Sequence, residues 1–167
     1  MTNILEYLEH SVNRVPDKVA FADETVGLTF RQTYDAARAV GSFLAAEGLY
    51  KQPVVVFKKK HPTTLVSFFG IMYSGNYYVP LDDEMPHHRI DLILKTLRPS
   101  AMICDADTAP LVKDFDYSGK VYIYDDICNR PVDEETLHSI RQRQLDTDPI
   151  YIVFTSGSTG VPKGVTA

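Results

Sequence analysis

Ile150-Tyr-Ile-Val-Phe-Thr-Ser-Gly-Ser-Thr-Gly-Val-Pro-Lys-Gly-Val-Thr166 is an apolar, β-branched and aromatic run that breaks into a loop of glycine, serine and threonine. Ile150 to Phe154 read as a short buried strand, because the run is continuous, β-rich and bounded by Asp148-Pro149 and Gly157. The loop that follows has the composition of a phosphate cradle. Gly157, Gly160 and Gly164 let the backbone turn tightly and approach an anion, so that successive N–H groups can face inward. Thr155, Ser156, Ser158 and Thr159 add hydroxyl donors, and Lys163 brings a compact positive charge to the same oxygens. Pro162 stiffens the exit.

Spacing excludes three other anion or catalytic motifs. A Walker A loop needs glycine-lysine-serine or threonine to begin five positions after its first glycine, and five positions after Gly157 stands Pro162. A nucleophile elbow needs glycine, any residue, serine, any residue, glycine, and in Gly157-Ser-Thr-Gly160 the glycines stand one position too close. A dinucleotide fingerprint needs a third glycine three residues after the second, whereas Gly160 is followed by Val161, Pro162 and Lys163.

Thr155-Ser-Gly-Ser-Thr-Gly-Val-Pro-Lys-Gly164 resembles, position by position, the phosphate loop of the adenylate-forming enzymes, the superfamily of acyl-CoA synthetases, luciferases and amino-acid adenylation domains. A flexible Gly/Ser linker has no reason to follow an apolar strand and close on Pro-Lys-Gly. Ser74-Gly-Asn-Tyr-Tyr-Val-Pro-Leu-Asp82 resembles the second motif of amino-acid adenylation domains, with Ser74 and Tyr77 in place of the usual alanines. Leu28-Thr-Phe-Arg-Gln-Thr33 is similar to the first motif and departs from it at Gln32 and Thr33. Pro16-Asp17 with Val19-Ala-Phe-Ala22 has the look of the opening segment. The resemblance covers nearly the whole chain, and its motifs favour amino-acid over fatty-acid activation.

The resemblance implies a parent reaction in which a carboxylate, most simply an amino acid, attacks ATP to give an acyl-adenylate and pyrophosphate. The acyl group then passes to a thiol, on a phosphopantetheinyl carrier protein or on CoA. It further implies that Thr155, Ser156, Gly157, Ser158, Thr159, Gly160, Lys163 and Gly164 hold the ATP phosphates, with Mg²⁺ bridging those phosphates and taking its protein ligand from a later motif. Such enzymes run to roughly five hundred residues, about three domains on the usual length prior. The chain stops three residues after Gly164. Residues 1–167 are therefore expected to be the N-terminal portion of an AMP-binding (adenylation) domain, truncated just after the phosphate loop and inactive by themselves. With Met1 about fifteen residues before the first family-like segment, no upstream domain is expected.

Composition sets outer bounds. The 167 residues are one domain's worth of chain, with 44% hydrophobic and 23% charged residues, as in ordinary soluble globular proteins. A net charge of −5 argues against nucleic acid or an anionic membrane as partner. Cys104 and Cys128 are too few for a disulfide framework, which points to a reducing cytoplasm. No signal peptide is evident in Met1 to Arg14, and the greasy stretch Leu65 to Leu81 is interrupted by Gly70, Ser74, Gly75, Asn76 and Pro80.

Apolar periodicity predicts a helix over Ile4 to Val12 and a strand over Val19 to Ala22. A helix opens at a Thr29/Gln32 capping box, presents Phe30, Tyr34, Ala37, Val40 and Leu44, and ends at Gly48. Val54 to Phe57 reads as a buried strand, Pro62 to Tyr73 as a helix and Tyr77 to Val79 as a strand. A helix beginning at Pro86 turns Ile90, Ile93, Leu94 and Leu97 inward, and strands follow at Ala101 to Cys104 and Val121 to Tyr124. This alternation predicts an α/β layered fold, a largely parallel sheet flanked by helices, forming the N-terminal part of the large domain of an adenylate-forming enzyme. The strand at Ile150 should then lie in a sheet completed by later strands, leaving an exposed edge prone to self-association.

The remaining polar clusters read as structural. Lys58-Lys-Lys60 is a solvated loop at the end of a strand, in preference to a dock for phosphopantetheine or a carrier protein. His87-His88 point apart on a helix, and His10, His61 and His138 lack ligand-like spacing. Asp82-Asp-Glu84 forms a polar turn, and Tyr77-Tyr78 belongs to a core strand. Two other functional classes stay open: a non-catalytic phosphate-binding or interaction module, and a small serine hydrolase using Ser156 or Ser158, for which no well-placed histidine exists.

Overall fold

Alternate residues of one all-apolar strand divide the core in two. β3 (Pro53–Phe57) is buried at every position, the mark of a parallel strand covered on both faces. Val54 and Val56 face a cluster built from α1 (Leu5–Arg14), α2 (Phe30–Ala46), α3 (Pro62–Tyr73) and α6 (Glu134–Arg143). Val55 and Phe57 face a second cluster with Ile90, Ile93 and Leu94 of α4 (His87–Leu97) and with Phe115. The computed structural model describes residues 3–155 and 162–167.

β3 is central in a four-stranded parallel sheet of order β4-β3-β5-β6, with β4 at Tyr77–Leu81, β5 at Ala101–Cys104 and β6 at Lys120–Ile123. The chain passes from β3 through α3 to β4, then returns across β3 through α4 to β5. Right-handed crossovers in opposite directions place their helices on opposite faces, so α3 and α4 lie in different clusters. A separate antiparallel ribbon joins β1 (Val19–Ala22) to β2 (Gly27–Thr29).

Local signals set the helix ends. Thr29 Oγ1 accepts from Gln32 N at 3.1 Å and Gln32 Oε1 accepts from Thr29 N at 2.9 Å, completing the expected capping box. Pro62 occupies the first turn of α3, and His61 Nδ1 accepts from Thr63 N at 3.2 Å. After α3 the chain turns at Gly75, whose φ of +74° suits glycine and whose missing β-carbon leaves room for the Tyr50 ring. Ser74 and Asn76 lock that turn: Asn76 Nδ2 donates to Ser74 Oγ at 2.7 Å and to Leu49 O at 3.0 Å, and Asn76 Oδ1 accepts from Gln52 N at 2.9 Å.

Three expectations need correction. The run Ile150 to Phe154 is not a buried strand: β7 spans Ile152–Thr155 and alternates between half-buried and exposed residues. It pairs with β8 (Lys163–Thr166) as an antiparallel hairpin, so only Ile152 and Phe154 face the core while Val153 faces outward. The strand placed at Val121 to Tyr124 ends at Ile123, because Tyr124 begins the short helix α5 (Tyr124–Ile127). Lys58, read as solvated, is only 5% exposed. It continues the inward parity of Val54 and Val56 past the end of β3. Lys59 and Lys60 do point to solvent and pair with Asp107 and Asp82.

Candidate functional site

The hairpin that presents the glycine-rich loop is built on the edge of the parallel sheet. Tyr78 N donates to Ile150 O at 3.1 Å, and Tyr78 and Tyr151 form a parallel bridge, so the root of the hairpin lies beside β4. Phe68 stacks on Tyr78 with ring centroids 4.1 Å apart, and Tyr78 meets Tyr151 at 5.6 Å. The Ser74–Asp82 segment therefore caps α3, forms β4 and supports the hairpin. From α4, Arg89 Nη2 reaches Phe154 O at 3.5 Å, a long contact at the last apolar residue before the loop. Ala167 closes the other strand by accepting from Ile150 N at 2.7 Å and donating to Tyr151 O at 3.2 Å.

At the mouth of the hairpin Thr155 stands directly opposite Lys163, and Thr155 Oγ1 lies 3.5 Å from Lys163 O. Both residues are exposed. The ladder thus brings one predicted hydroxyl donor and the predicted lysine together across eight positions of sequence. Gly164 pairs with Phe154, and a β-carbon on it would stand 2.9 Å from Ile152 Cγ2 and 3.3 Å from Phe154 Cζ. Glycine is required there by cross-strand packing. Pro162 is buried at the return of the chain. Ser156, Gly157, Ser158, Thr159 and Gly160, also predicted to hold phosphates, lie outside the described residues.

Beside the hairpin a cleft of about 770 Å³ opens between the β1–β2 ribbon, the start of α3, the end of β4 and β7. Lys58 and His61 line it. Lys58 Nζ donates to Thr63 Oγ1 at 2.9 Å and sits 3.7 Å above the centre of the Tyr124 ring. Burial pushes its ammonium down to about 8, although the charges of Asp105 and Asp125 oppose the shift. Thr63 Oγ1 is also 2.8 Å from His61 Nδ1, and His61 Nε2 lies 3.8 Å from Asp23 Oδ2. The other histidines gather no ligand set: among the described residues no three His, Cys, Asp or Glu side chains are placed to hold a metal ion. His87 packs edge-on against Phe115 at 5.2 Å. Asp82 Oδ1 accepts from Glu84 N at 3.0 Å, as a polar turn requires.

Arg89 and the Lys58 cluster were not singled out from sequence as site residues. Parity was the available signal for Lys58, since it lies two and four positions after Val56 and Val54 on a strand with period two. Nothing local marks Arg89, whose partner is 65 positions away.

Comparisons with known proteins agree with this architecture. A sequence profile described as AMP-binding enzyme matches residues 8–167. Tyrocidine synthase 1 of Brevibacillus parabrevis is 28% identical over 163 residues, covering 97% of this chain and 15% of that protein. The D-alanine--D-alanyl carrier protein ligase of Listeria monocytogenes is 31% identical over 169 residues, covering 98% of this chain and 32% of that one. Among solved structures, the nonribosomal peptide synthetase FmoA3 in its alpha-methyl-L-serine-AMP bound form superposes with a TM-score of 0.81 at 21% identity, over 100% of this chain and 18% of that chain. VinN with 3-methylaspartate superposes with a TM-score of 0.79 at 22% identity, over 96% of this chain and 46% of that one. The chain thus spans about a third or less of these two curated relatives. With the profile matching nearly its full length and the same layered α/β arrangement, the chain belongs to the family of AMP-binding enzymes.

Proposed function

We propose that this chain is the N-terminal portion of the adenylating domain of an ATP-dependent ligase, one that joins a carboxylate, most simply an amino acid, to AMP and releases pyrophosphate. The acyl group then passes to a thiol of a carrier protein or CoA. The observation that carries this reading is the placement of Thr155 opposite Lys163 at the base of the loop whose composition suits phosphate. A carboxylate attacking the α-phosphorus is anion meeting anion, and the departing pyrophosphate gathers charge as its bond breaks. Donors held in place around the β- and γ-phosphates lower that barrier without solvent having to reorganise. Thr155, Ser156, Ser158 and Thr159 supply hydroxyls, Gly157 and Gly160 backbone N–H groups, and Lys163 the mobile counter-charge. Gly164 lets the second strand lie close under Phe154.

Mg²⁺ belongs to this reading only through the phosphates. Among the described residues no three His, Cys, Asp or Glu side chains are placed to hold a metal ion. Among the described residues no helix is long and apolar enough to cross a membrane, and Cys104 and Cys128 are free thiols. A cytoplasmic setting completes the proposal, with no role for nucleic acid. By itself the chain is expected to bind ATP without adenylating a substrate.

Calorimetric titration of the 167-residue chain with ATP tests this, with Lys163→Ala alongside. Loss of a charged hydrogen bond should weaken binding by about 1.5–3 kcal/mol. Binding that the variant leaves unchanged removes Lys163 from the phosphate site, and an absence of ATP binding removes the reading of a formed phosphate module. A second reading, an interaction module, is favoured by the outward cross-strand pair Val153 and Val165, which are 40% and 54% exposed. Size-exclusion chromatography of the same samples checks it, since self-association through that face would make the elution volume depend on concentration.

A further inference from the structure

Lys58, Thr63, His61 and Asp23 form one connected chain of polar groups. Lys58 Nζ donates to Thr63 Oγ1 at 2.9 Å, and Thr63 Oγ1 lies 2.8 Å from His61 Nδ1. Because Thr63 N also donates to His61 Nδ1, that nitrogen carries the lone pair, and the Thr63 hydroxyl donates to it as well. His61 Nε2 faces Asp23 Oδ2 at 3.8 Å, where the carboxylate favours a positive imidazole. Asp23 is itself fixed, since its Oδ1 accepts from Thr25 N, Thr25 Oγ1 and Val26 N. A proton leaving the Lys58 amine thus has a path through the Thr63 hydroxyl to His61. Amine, hydroxyl, base and orienting acid in this order are the parts that activate a nucleophile.

Its surroundings keep the amine of Lys58 available. Among the described residues no carboxylate lies within ion-pairing distance of its Nζ, which rests 3.7 Å above the centre of the Tyr124 ring. Asp105, Asp125, Cys104 and Cys128 are the other titratable groups around it. Asp105 cannot turn to meet it, because that carboxylate accepts from the backbone N–H groups of Lys59, Asp107 and Thr108. Burial outweighs both carboxylates and brings the ammonium down to about 8, so roughly a tenth of Lys58 is neutral amine at pH 7. The same burial pushes the Cys104 thiol up to about 12 and raises Cys128, so neither competes as a thiolate.

Lys58 lines the cleft of about 770 Å³ beside the hairpin, and the charges around that space are already met. Asp23 is held by His61 and Thr25, and Asp82 accepts from Glu84 N and lies 3.6 Å from Lys60 Nζ. Lys60, the other amine on the cleft, is turned to water. Phe21, Leu65, Phe68, Met85 and Phe154 make the remaining wall apolar. Such a space suits an uncharged molecule with an apolar body.

We propose that Lys58 is a nucleophilic amine that captures an aldehyde with an apolar body as an imine, the aldehyde entering this cleft and the amine's protons leaving through Thr63 to His61. The nitrogen adds to the carbonyl carbon as the C=O electron pair moves onto oxygen. Two N–H protons leave along the Thr63 path, matched by two protons taken up by that oxygen, which departs as water. One amine and one aldehyde become one imine and one water, with no oxidant or reductant. The proposal goes beyond adenylation and does not rest on it, because neither Thr155 nor Lys163 lines the cleft.

Octanal with sodium cyanoborohydride, which fixes an imine as a stable amine, is the probe, applied to the full chain at pH 7. Tandem mass spectrometry should find Lys58 labelled at least about tenfold faster than Lys59 or Lys60, a preference that urea abolishes. Propanal, too short to cover the apolar wall, should label Lys58 at least about fivefold more slowly than octanal. Ala22→Trp, at an exposed position lining the cleft, should slow octanal by about tenfold. Thr63→Val should slow labelling of Lys58, and Thr63→Ser should keep it within about twofold of wild type. Loss of the hydrogen bond alone would destabilise the ammonium and speed labelling, so a faster Thr63→Val overturns the relay. Should Thr63→Val fail to fold, His61→Asn, which keeps a cap for α3 but takes up no proton, should show the same slowing, and an unchanged rate overturns the relay. Labelling spread evenly over Lys58, Lys59 and Lys60 in the folded chain overturns the capture, as does a preference that survives urea. Equal rates for octanal and propanal, or octanal labelling untouched by Ala22→Trp, overturn the assignment of the cleft.

Discussion

Gly70 of α3 lies against Val40 of α2 so closely that a β-carbon on Gly70 would stand 2.5 Å from Val40 Cγ1 and 3.0 Å from Ala37 O. The neighbouring Gly41 meets Tyr73 in the same way, at 2.7 Å from its Cβ. Two glycines thus let these helices approach with their backbones nearly in contact, which an alanine would prevent.

Gly70→Ala should therefore destabilise the chain, although alanine favours helices. Helix propensity offers about 1 kcal/mol in favour, and overpacking against a β-branched side chain and a carbonyl costs about 1–3 kcal/mol or more. Urea denaturation should show a lowered midpoint with an unchanged slope. A raised midpoint would mean that the two helices separate cheaply.

Lys58 makes stability depend on alkaline pH in an unusual direction. Its folded value of about 8 lies below its unfolded value near 10.5, so between them the unfolded chain binds more protons and folding grows more favourable as pH rises. Lys58→Met should be at least as stable as wild type at pH 7, and its advantage should shrink by about 2 kcal/mol by pH 9.5. Paired denaturation curves at several pH values cancel Tyr73 and Tyr122, whose raised values work in the opposite direction above pH 10.

Asn76→Ala should cost more than Ser74→Ala, although both residues belong to the same turn. Asn76 is 3% exposed, and its loss strands Gln52 N and Leu49 O. That predicts about 2–4 kcal/mol. Ser74→Ala restores the usual residue of the motif and leaves Asn76 with Leu49 O, so about 1 kcal/mol or less is expected. Thermal unfolding of both variants checks the order.

Gly164→Ala should act locally. With its new methyl 2.9 Å from Ile152 Cγ2, the hairpin ladder must open at its mouth while the parallel sheet is untouched. Amide exchange should quicken at Phe154 and Thr155 with little change at Val55 or Ile103, and ATP should bind more weakly.

Period and punctuation made most of the parallel layer legible. Pro62 to Tyr73 and Ala101 to Cys104 have the bounds their sequences predict, because proline at a helix start and an apolar run with β propensity act within a few residues. The Thr29/Gln32 box is local in the same sense. Less was legible at Glu134–Arg143, a helix whose surface is mostly polar and which carries only Leu137 and Ile140 into the core. Its N-cap Asp133 was readable, but its docking beneath α2 was not.

The sequence by itself determined the alternation of helix and strand, the composition of the phosphate loop and the family that both resemble, since these rest on near-neighbour chemistry. Only the tertiary structure decided that Ile152 to Thr155 pairs with Lys163 to Thr166, so that half of an apolar run faces outward. It likewise decided that Lys58 turns inward onto Tyr124 and Thr63 while Lys59 and Lys60 reach water. Both outcomes depend on which surface covers a given side of a strand, and that surface is supplied by residues far away in the chain.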